Sequence, residues 1–195
     1  IIPGISQDQL KEFRWLFENN FNENHLFAIG INIKEKVNQN IKYYNSLSIF
    51  DHKLNVIHSY KKINLVPFGE FLPFEKIIKN FGLKTITNNY QSYSKGKERD
   101  VIDLNYNNFN LKILPLVCYE IIYSGKIFTN NDFDYIVNVS EDGWFGKSIG
   151  PKQHFIHSIF RAIESGKYVL RSANNGTTAI VNPTGLIEQK VDINK

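Results

Sequence analysis

Hydrophobic positions along this chain recur with two periods, and the period changes from segment to segment. Leu10, Phe13, Leu16 and Phe17 repeat at helical spacing behind Ser6 and Gln9, which stand three apart as in a capping box, so a helix is predicted over about residues 7–19. Asn19-Asn20 and the polar stretch to Asn24 end it. His25 to Asn32 is short, apolar and rich in strand formers, which predicts a buried strand, whereas residues 33–42 read as a polar loop. Tyr43–Phe50 and Val56–Tyr60 are expected to pair around the turn Asp51-His52-Lys53-Leu54-Asn55. Phe71 to Asp100 has no steady period; a short helix near Phe74–Asn80 fits, then Gly82, Asn88-Asn89 and Lys95-Gly96-Lys97 interrupt it.

Beyond Asp100 the pattern is firmer. Val101–Leu104 predicts a strand, followed by an Asn-rich turn and the apolar run Leu111 to Val117. Tyr135–Val139 predicts another buried strand. His154–Ser165 reads as a helix, with Ile156, Ile159, Phe160 and Ile163 in an i, i+3, i+4, i+7 stripe and Gly166 at the position that terminates helices. Tyr168–Ser172 and Thr177–Asn182 are expected as the last two strands, joined through Asn174-Asn175-Gly176 in a type I′ turn. Strands alternating with helices and hairpins point to an α/β protein.

A chain of 195 residues suits one domain, and 42% hydrophobic with 22% charged residues excludes disorder as the default. The net charge of +4 is dispersed, with no run of five like charges, so nucleic-acid binding gains no support. No stretch reaches 18 consecutive apolar residues, so no segment reads as a membrane span. The chain holds no Met and opens on Ile1-Ile2-Pro3-Gly4, from which we expect a piece of a longer protein.

The sole cysteine, Cys118, closes an apolar run and is followed by Tyr119 and Glu120. A lone cysteine is either a small buried hydrophobe or a nucleophile. Two further segments bear on that choice. Upstream stands Lys61-Lys62-Ile63-Asn64-Leu65-Val66-Pro67-Phe68-Gly69-Glu70, and downstream Asn138-Val139-Ser140-Glu141-Asp142-Gly143-Trp144-Phe145-Gly146-Lys147-Ser148-Ile149-Gly150-Pro151. Glu70 and Glu120 alone would be surface carboxylates or ion-pair partners. Glu120 shares a face with Cys118 if the strand continues. Trp144 and Phe145 either plug the core or contact substrate. His154 and His157 could share a metal but lack a third ligand, so capping or surface roles are preferred. Arg161 and Arg171 read as ion-paired structural residues.

Together these three segments resemble the nitrilase (carbon–nitrogen hydrolase) superfamily, and within it the membrane-anchored apolipoprotein N-acyltransferase branch. The resemblance covers Ile1 to about Ile187. It implies a four-layer αββα sandwich forming one domain over 1–195, N-terminally truncated, with flanking transmembrane helices elsewhere in the parent protein. It implies Cys118 as thioester-forming nucleophile and Lys62, rather than Lys61, as oxyanion stabiliser. Glu70, Glu120 and Tyr119 would support them, and Trp144 and Phe145 would bind substrate. The family's general-base Glu belongs to a segment ending in an Ile-Pro pair such as Ile2-Pro3, so the resemblance implies it just upstream of Ile1; Glu12, Glu18 and Glu23 match no motif. The implied reaction moves a fatty acyl group from a phospholipid donor to the N-terminal lipidated cysteine of an apolipoprotein acceptor. It takes place at the inner membrane, in a domain facing the periplasm, with no metal and no organic cofactor. The aromatic and basic residues of 71–100 fit core packing or a bilayer interface. The alternatives are a soluble amidase of the same superfamily and a non-catalytic nitrilase-like binding module.

Overall fold

A computed structural model of the chain describes residues 6–73, 92–127 and 132–191. Ser6 caps the first helical segment as its spacing predicts: its side chain accepts from Gln9 N, and Gln9 Oε1 accepts from Ser6 N. The predicted helix is built in three pieces, α1 (Gln7–Leu10), a 3₁₀ turn (Lys11–Phe13) and α2 (Arg14–Asn20). The expected helix near Phe74–Asn80 lies outside the described residues.

Two sheets form the centre. The first has three antiparallel strands in the order β1 (Phe27–Val37), β2 (Asn40–Phe50) and β3 (Val56–Lys61). Residues 33–42 are therefore largely strand and not loop. Ile33-Lys34-Glu35-Lys36-Val37 carries a period-two alternation, and Asn38, at φ 57°, turns the chain tightly enough to pair Val37 with Asn40. The second sheet has six strands in sequence order, β4 (Ile102–Tyr106), β5 (Phe109–Val117), β6 (Tyr135–Glu141), β7 (Tyr168–Asn174), β8 (Thr178–Val181) and β9 (Ile187–Val191). Strands β5, β6 and β7 run parallel and the outer pairings are antiparallel. Asn107 and Asn108 are both left-handed, which suits the hairpin between β4 and β5.

Strand β9 is a third C-terminal strand beyond the two that were expected. Its five residues are all exposed, so it lacks the buried run that makes a strand legible. The turn before β8 also differs from expectation: Asn175 is left-handed, but Gly176 is not. Gly176 is needed for space instead, since a Cβ there would lie 2.1 Å from Asp142 Oδ2.

Period-two burial sorts the side chains into four layers. Leu10 and Phe17 pack on Ile31, Ile33, Tyr44 and Phe50, outside the first sheet. Leu47, Ile49 and Tyr60 meet Ile113, Val117, Val137 and Val139 between the sheets. Leu114, Leu116, Ile136 and Val169 pack under α3 (Gly150–Ser165) through Phe155 and Ala162. Helix α3 ends at Gly166, left-handed with its N–H on Ala162 O. Three of the four stripe residues that signal this helix face outward: Ile156, Phe160 and Ile163 are exposed and Ile159 packs against the core edge, whereas Pro151, His154, Phe155, Ser158, Arg161 and Ala162 are buried. The buried face is partly polar because it covers a polar network described below. No described helix is long and apolar enough to cross a membrane.

Candidate active site

The site lies at the carboxyl ends of the parallel strands, where α/β sheets leave a crevice. Strand β5 stops at Val117, and Cys118 opens a 3₁₀ turn (Cys118–Ile122) with φ 52°. A left-handed non-glycine residue at a strand-to-helix corner stores about 1 kcal/mol of strain and presents its side chain above the sheet. The continuation of the strand needed for Glu120 to share a face with Cys118 does not occur. Cys118 lines a cavity of about 350 Å³, shared with Lys62, Glu70, Tyr119, Trp144, Phe145, Asn32, Asn45, Tyr93 and Glu141 among others.

Lys62 follows β3 and is fixed by its backbone, donating to Asn45 O at 2.8 Å and accepting from Gly96 N at 2.8 Å. Gly96 permits this approach; a Cβ there would fall 2.2 Å from Lys61 O. The Lys62 ammonium is 1% exposed and donates to Glu70 Oε2 at 2.7 Å. Glu70 also accepts from Asn45 Nδ2 at 2.6 Å and Val66 N at 2.8 Å. The Val66–Glu70 turn, with Phe68 left-handed, aims that carboxylate inward. Lys61 takes the other side: its ammonium meets Glu35 at 2.6 Å and sits over the Tyr44 ring.

Glu120 does not line the cavity. It is fully buried and ties two loops together, accepting on Oε1 from Tyr60, Ile63 N, Asn64 N and Arg99, and on Oε2 from Val117 N. The Arg99 contact is 2.6 Å. Burial and the Glu120 charge push the Tyr60 hydroxyl well above its ordinary pKa, so it remains a donor. Glu120 thus fixes the segment that leads from Lys62 against the strand that carries Cys118.

A second buried network lies behind the cysteine. His154, expected at a cap or on the surface, is 3% exposed. Its Nε2 faces Cys118 O at 3.2 Å, and its Nδ1 lies 2.9 Å from Asp142 Oδ1. A carbonyl can only accept, so Nε2 carries the hydrogen. Asp142 also accepts from Ser140 Oγ at 2.6 Å and from Arg171 at 2.7 Å. Burial works to raise the Asp142 pKa, but His154, Arg171 and Ser140 outweigh it and hold the carboxyl below its usual range. Arg171 further donates to Asn138 Oδ1 and Thr177 O, and Asn138 Nδ2 donates to Leu116 O and, at 3.4 Å, to Cys118 O.

Trp144 is 78% exposed at the rim, so it does not plug the core; Phe145 is half-buried and tilts against the His154 ring. Glu12, Glu18 and Glu23 are exposed and none lines the cavity. Glu141, Asn32, Asn45 and Tyr93 escaped the sequence reading. Asn32 and Asn45 are paired across β1 and β2, a register that residue spacing does not reveal.

Paired sheets with helices outside are the architecture the family resemblance implies, and here they carry a cysteine corner beside a buried Lys–Glu pair. A family model for carbon–nitrogen hydrolases matches residues 9–192. The chain belongs to the carbon–nitrogen hydrolase family. Within that family it is similar to apolipoprotein N-acyltransferases. It is 36% identical to the one from Rickettsia typhi over 194 residues, covering 98% of this chain and 38% of that protein. Identity to the Rickettsia bellii protein is 40% over 171 residues, 87% of this chain and 33% of the relative. The chain thus spans well under half the length of these relatives. Among solved structures, an amidase from Nesterenkonia sp. superposes with TM-score 0.58 at 15% identity, covering 97% of this chain and 65% of that one. The glutamine-dependent NAD+ synthetase from Acinetobacter baumannii gives 0.61 at 14% identity, over 96% of this chain and 32% of the synthetase. These structural likenesses bear on the fold, which they share.

Proposed function

We propose that this chain is the catalytic domain of an apolipoprotein N-acyltransferase, working through a Cys118 thioester. The observation that carries the reading is the shared cavity of Cys118, Lys62 and Glu70, joined to the similarity to acyltransferases over nearly the whole chain. The Cys118 thiolate attacks the ester carbonyl of a phospholipid; a C–S bond forms, the C–O bond breaks, and the lysophospholipid alkoxide leaves with a proton. The α-amino group of an N-terminal lipidated cysteine then attacks the thioester. A C–N bond forms, the C–S bond breaks, and the sulfur recovers a proton. Lys62, fixed by Glu70, stabilises the oxyanion in both halves, and Tyr119 N–H supplies a second donor. Trp144 and Phe145 contact the acyl chain or headgroup. Glu120 supports the reaction at one remove, by holding the loops in place.

Among the described cavity residues, Glu70 is bound to Lys62 and Glu141 is held by three amides. In this reading the base is a Glu just upstream of Ile1, as the family resemblance implies, and the chain alone does not turn over. The domain would face the periplasm at the inner membrane. The test compares Cys118→Ala with wild type in the full-length protein, using labelled phospholipid. Labelling lost in a folded variant is expected; labelling that persists would sink the nucleophile assignment. Assaying the 195-residue chain alone checks the base, and full activity there would put it on Glu70 or Glu141.

A further inference from the structure

The carboxylates around Cys118 differ in how their charge is compensated. Glu70 has Lys62, Glu120 has Arg99 and Asp142 has Arg171. Glu141, which lines the cavity with Cys118, is held by neutral amides. Its Oε1 accepts from Gly143 N at 2.8 Å and Asn175 Nδ2 at 3.2 Å, and its Oε2 from Asn174 Nδ2 at 2.6 Å. A Cβ on Gly143 would stand 2.5 Å from Glu141 Oε1, so the carboxylate occupies space that only glycine leaves. Three donors on the four or so lone-pair directions of a carboxylate fix its orientation and leave room for one more. Lys62 and Glu70 cancel, so Glu141 leaves the described lining one negative charge in excess.

We propose that Glu141 is the subsite for a primary ammonium group of a substrate bound beside Cys118. The inference rests on the acyl-transfer reading above and assigns one polar contact within it. An ammonium would supply the counter-charge that the protein gives the other three carboxylates, through a charge-assisted N–H···O bond. A phosphate would be repelled from the same place. Two groups in the reaction carry this chemistry, the ethanolamine headgroup of a donor phospholipid and the N-terminus of the acceptor. Binding makes and breaks no covalent bond; an acceptor held here attacks once its ammonium has lost a proton.

The test uses the full-length protein and Glu141→Gln, which keeps the shape and removes the charge. Acyl-Cys118 formation is followed from liposomes of phosphatidylethanolamine or phosphatidylglycerol, and transfer from preformed acyl-enzyme to a peptide with an S-lipidated N-terminal cysteine. A KM raised about tenfold for phosphatidylethanolamine but not phosphatidylglycerol assigns the headgroup. A similar rise for the peptide assigns the N-terminus. In either case kcat should change less than about threefold. Unchanged KM values in all three arms overturn the proposal while leaving acyl transfer intact; failure of the wild type to form acyl-Cys118 removes the acyl-transfer reading itself. Should Glu141→Gln not fold, wild type decides. It should favour phosphatidylethanolamine over phosphatidylglycerol, or be inhibited better by an N-terminally dimethylated peptide than by an N-acetylated one. Indifference in both comparisons overturns the assignment.

Discussion

The carbonyl of Cys118 accepts from His154 Nε2 and, more weakly, from Asn138. That carbonyl belongs to the peptide unit whose N–H is on Tyr119, the second oxyanion donor in the function proposed above. Hydrogen bonding at one end of a peptide polarises the other. His154→Leu should therefore slow acylation about tenfold or more at unchanged phospholipid KM, and His154→Gln, which retains an N–H, should recover part of it. Equal loss in both variants would mean that the imidazole serves packing alone. Lys62→Ala should cost about two orders of magnitude in rate, as for removal of an oxyanion donor. Lys61→Ala, whose ammonium pairs with Glu35 on the far side, should cost little. Similar losses would show that Lys62 is not specific to the reaction. Strand alternation says that only one of Lys61 and Lys62 can face the cavity, and the spacing to Val66-Pro67-Phe68-Gly69-Glu70 that the family resemblance supplies picks Lys62. The burial of His154 is not, because its partners Asp142 and Arg171 come from other elements.

At the scale of elements, the turns that carry Lys62 and Cys118 have little regular structure of their own, and Glu120 joins them. Removing one partner of a buried, hydrogen-bonded ion pair typically costs about 3–5 kcal/mol. Glu120→Ala should lower stability by that amount in urea unfolding, and Arg99→Met should do much the same. A loss under about 1 kcal/mol would show that the loops hold without this junction. Asp142 has its carboxyl pKa below the usual range, so its contribution is present above the unfolded value near 4 and is lost as pH falls through the folded value. Asp142→Asn should melt lower than wild type at neutral pH, with the gap closing as pH drops below about 4. A gap independent of pH would show that the carboxylate charge is not what matters. Strands β5 and β6 were readable from their apolar runs. The far half of β1 was misread, because alternating Lys and Glu on an exposed face resemble a loop. Helix α3 shows the opposite failure, in which the helical period is right but only Ile159 of the four stripe residues packs against the core.

For the whole molecule, the four-layer order follows from which residues alternate inward, but the widths of the two sheets do not. Among the described residues three strands face six, and an open apolar groove of about 510 Å³ lies between the sheets, lined by Ala28 and Ile49 of the first and by Leu170, Thr178, Ile180 and Val191 of the second among others. Nothing in the local pattern announces this, since β9 is exposed throughout and β8 alternates like any half-buried strand. An exposed apolar surface of this kind binds amphiphilic dyes and favours self-association. The 195-residue chain should therefore enhance the fluorescence of an anilinonaphthalene sulfonate dye in its native state. Val191 is half exposed, so the pair Ile180→Lys and Val191→Lys should reduce that signal severalfold. Because both side chains border the groove rather than fill the core, the unfolding free energy should shift by no more than about 1 kcal/mol. Dye binding that survives both substitutions would place the accessible apolar surface elsewhere, with the outward Ile156, Phe160 and Ile163 face of α3 the next site to substitute.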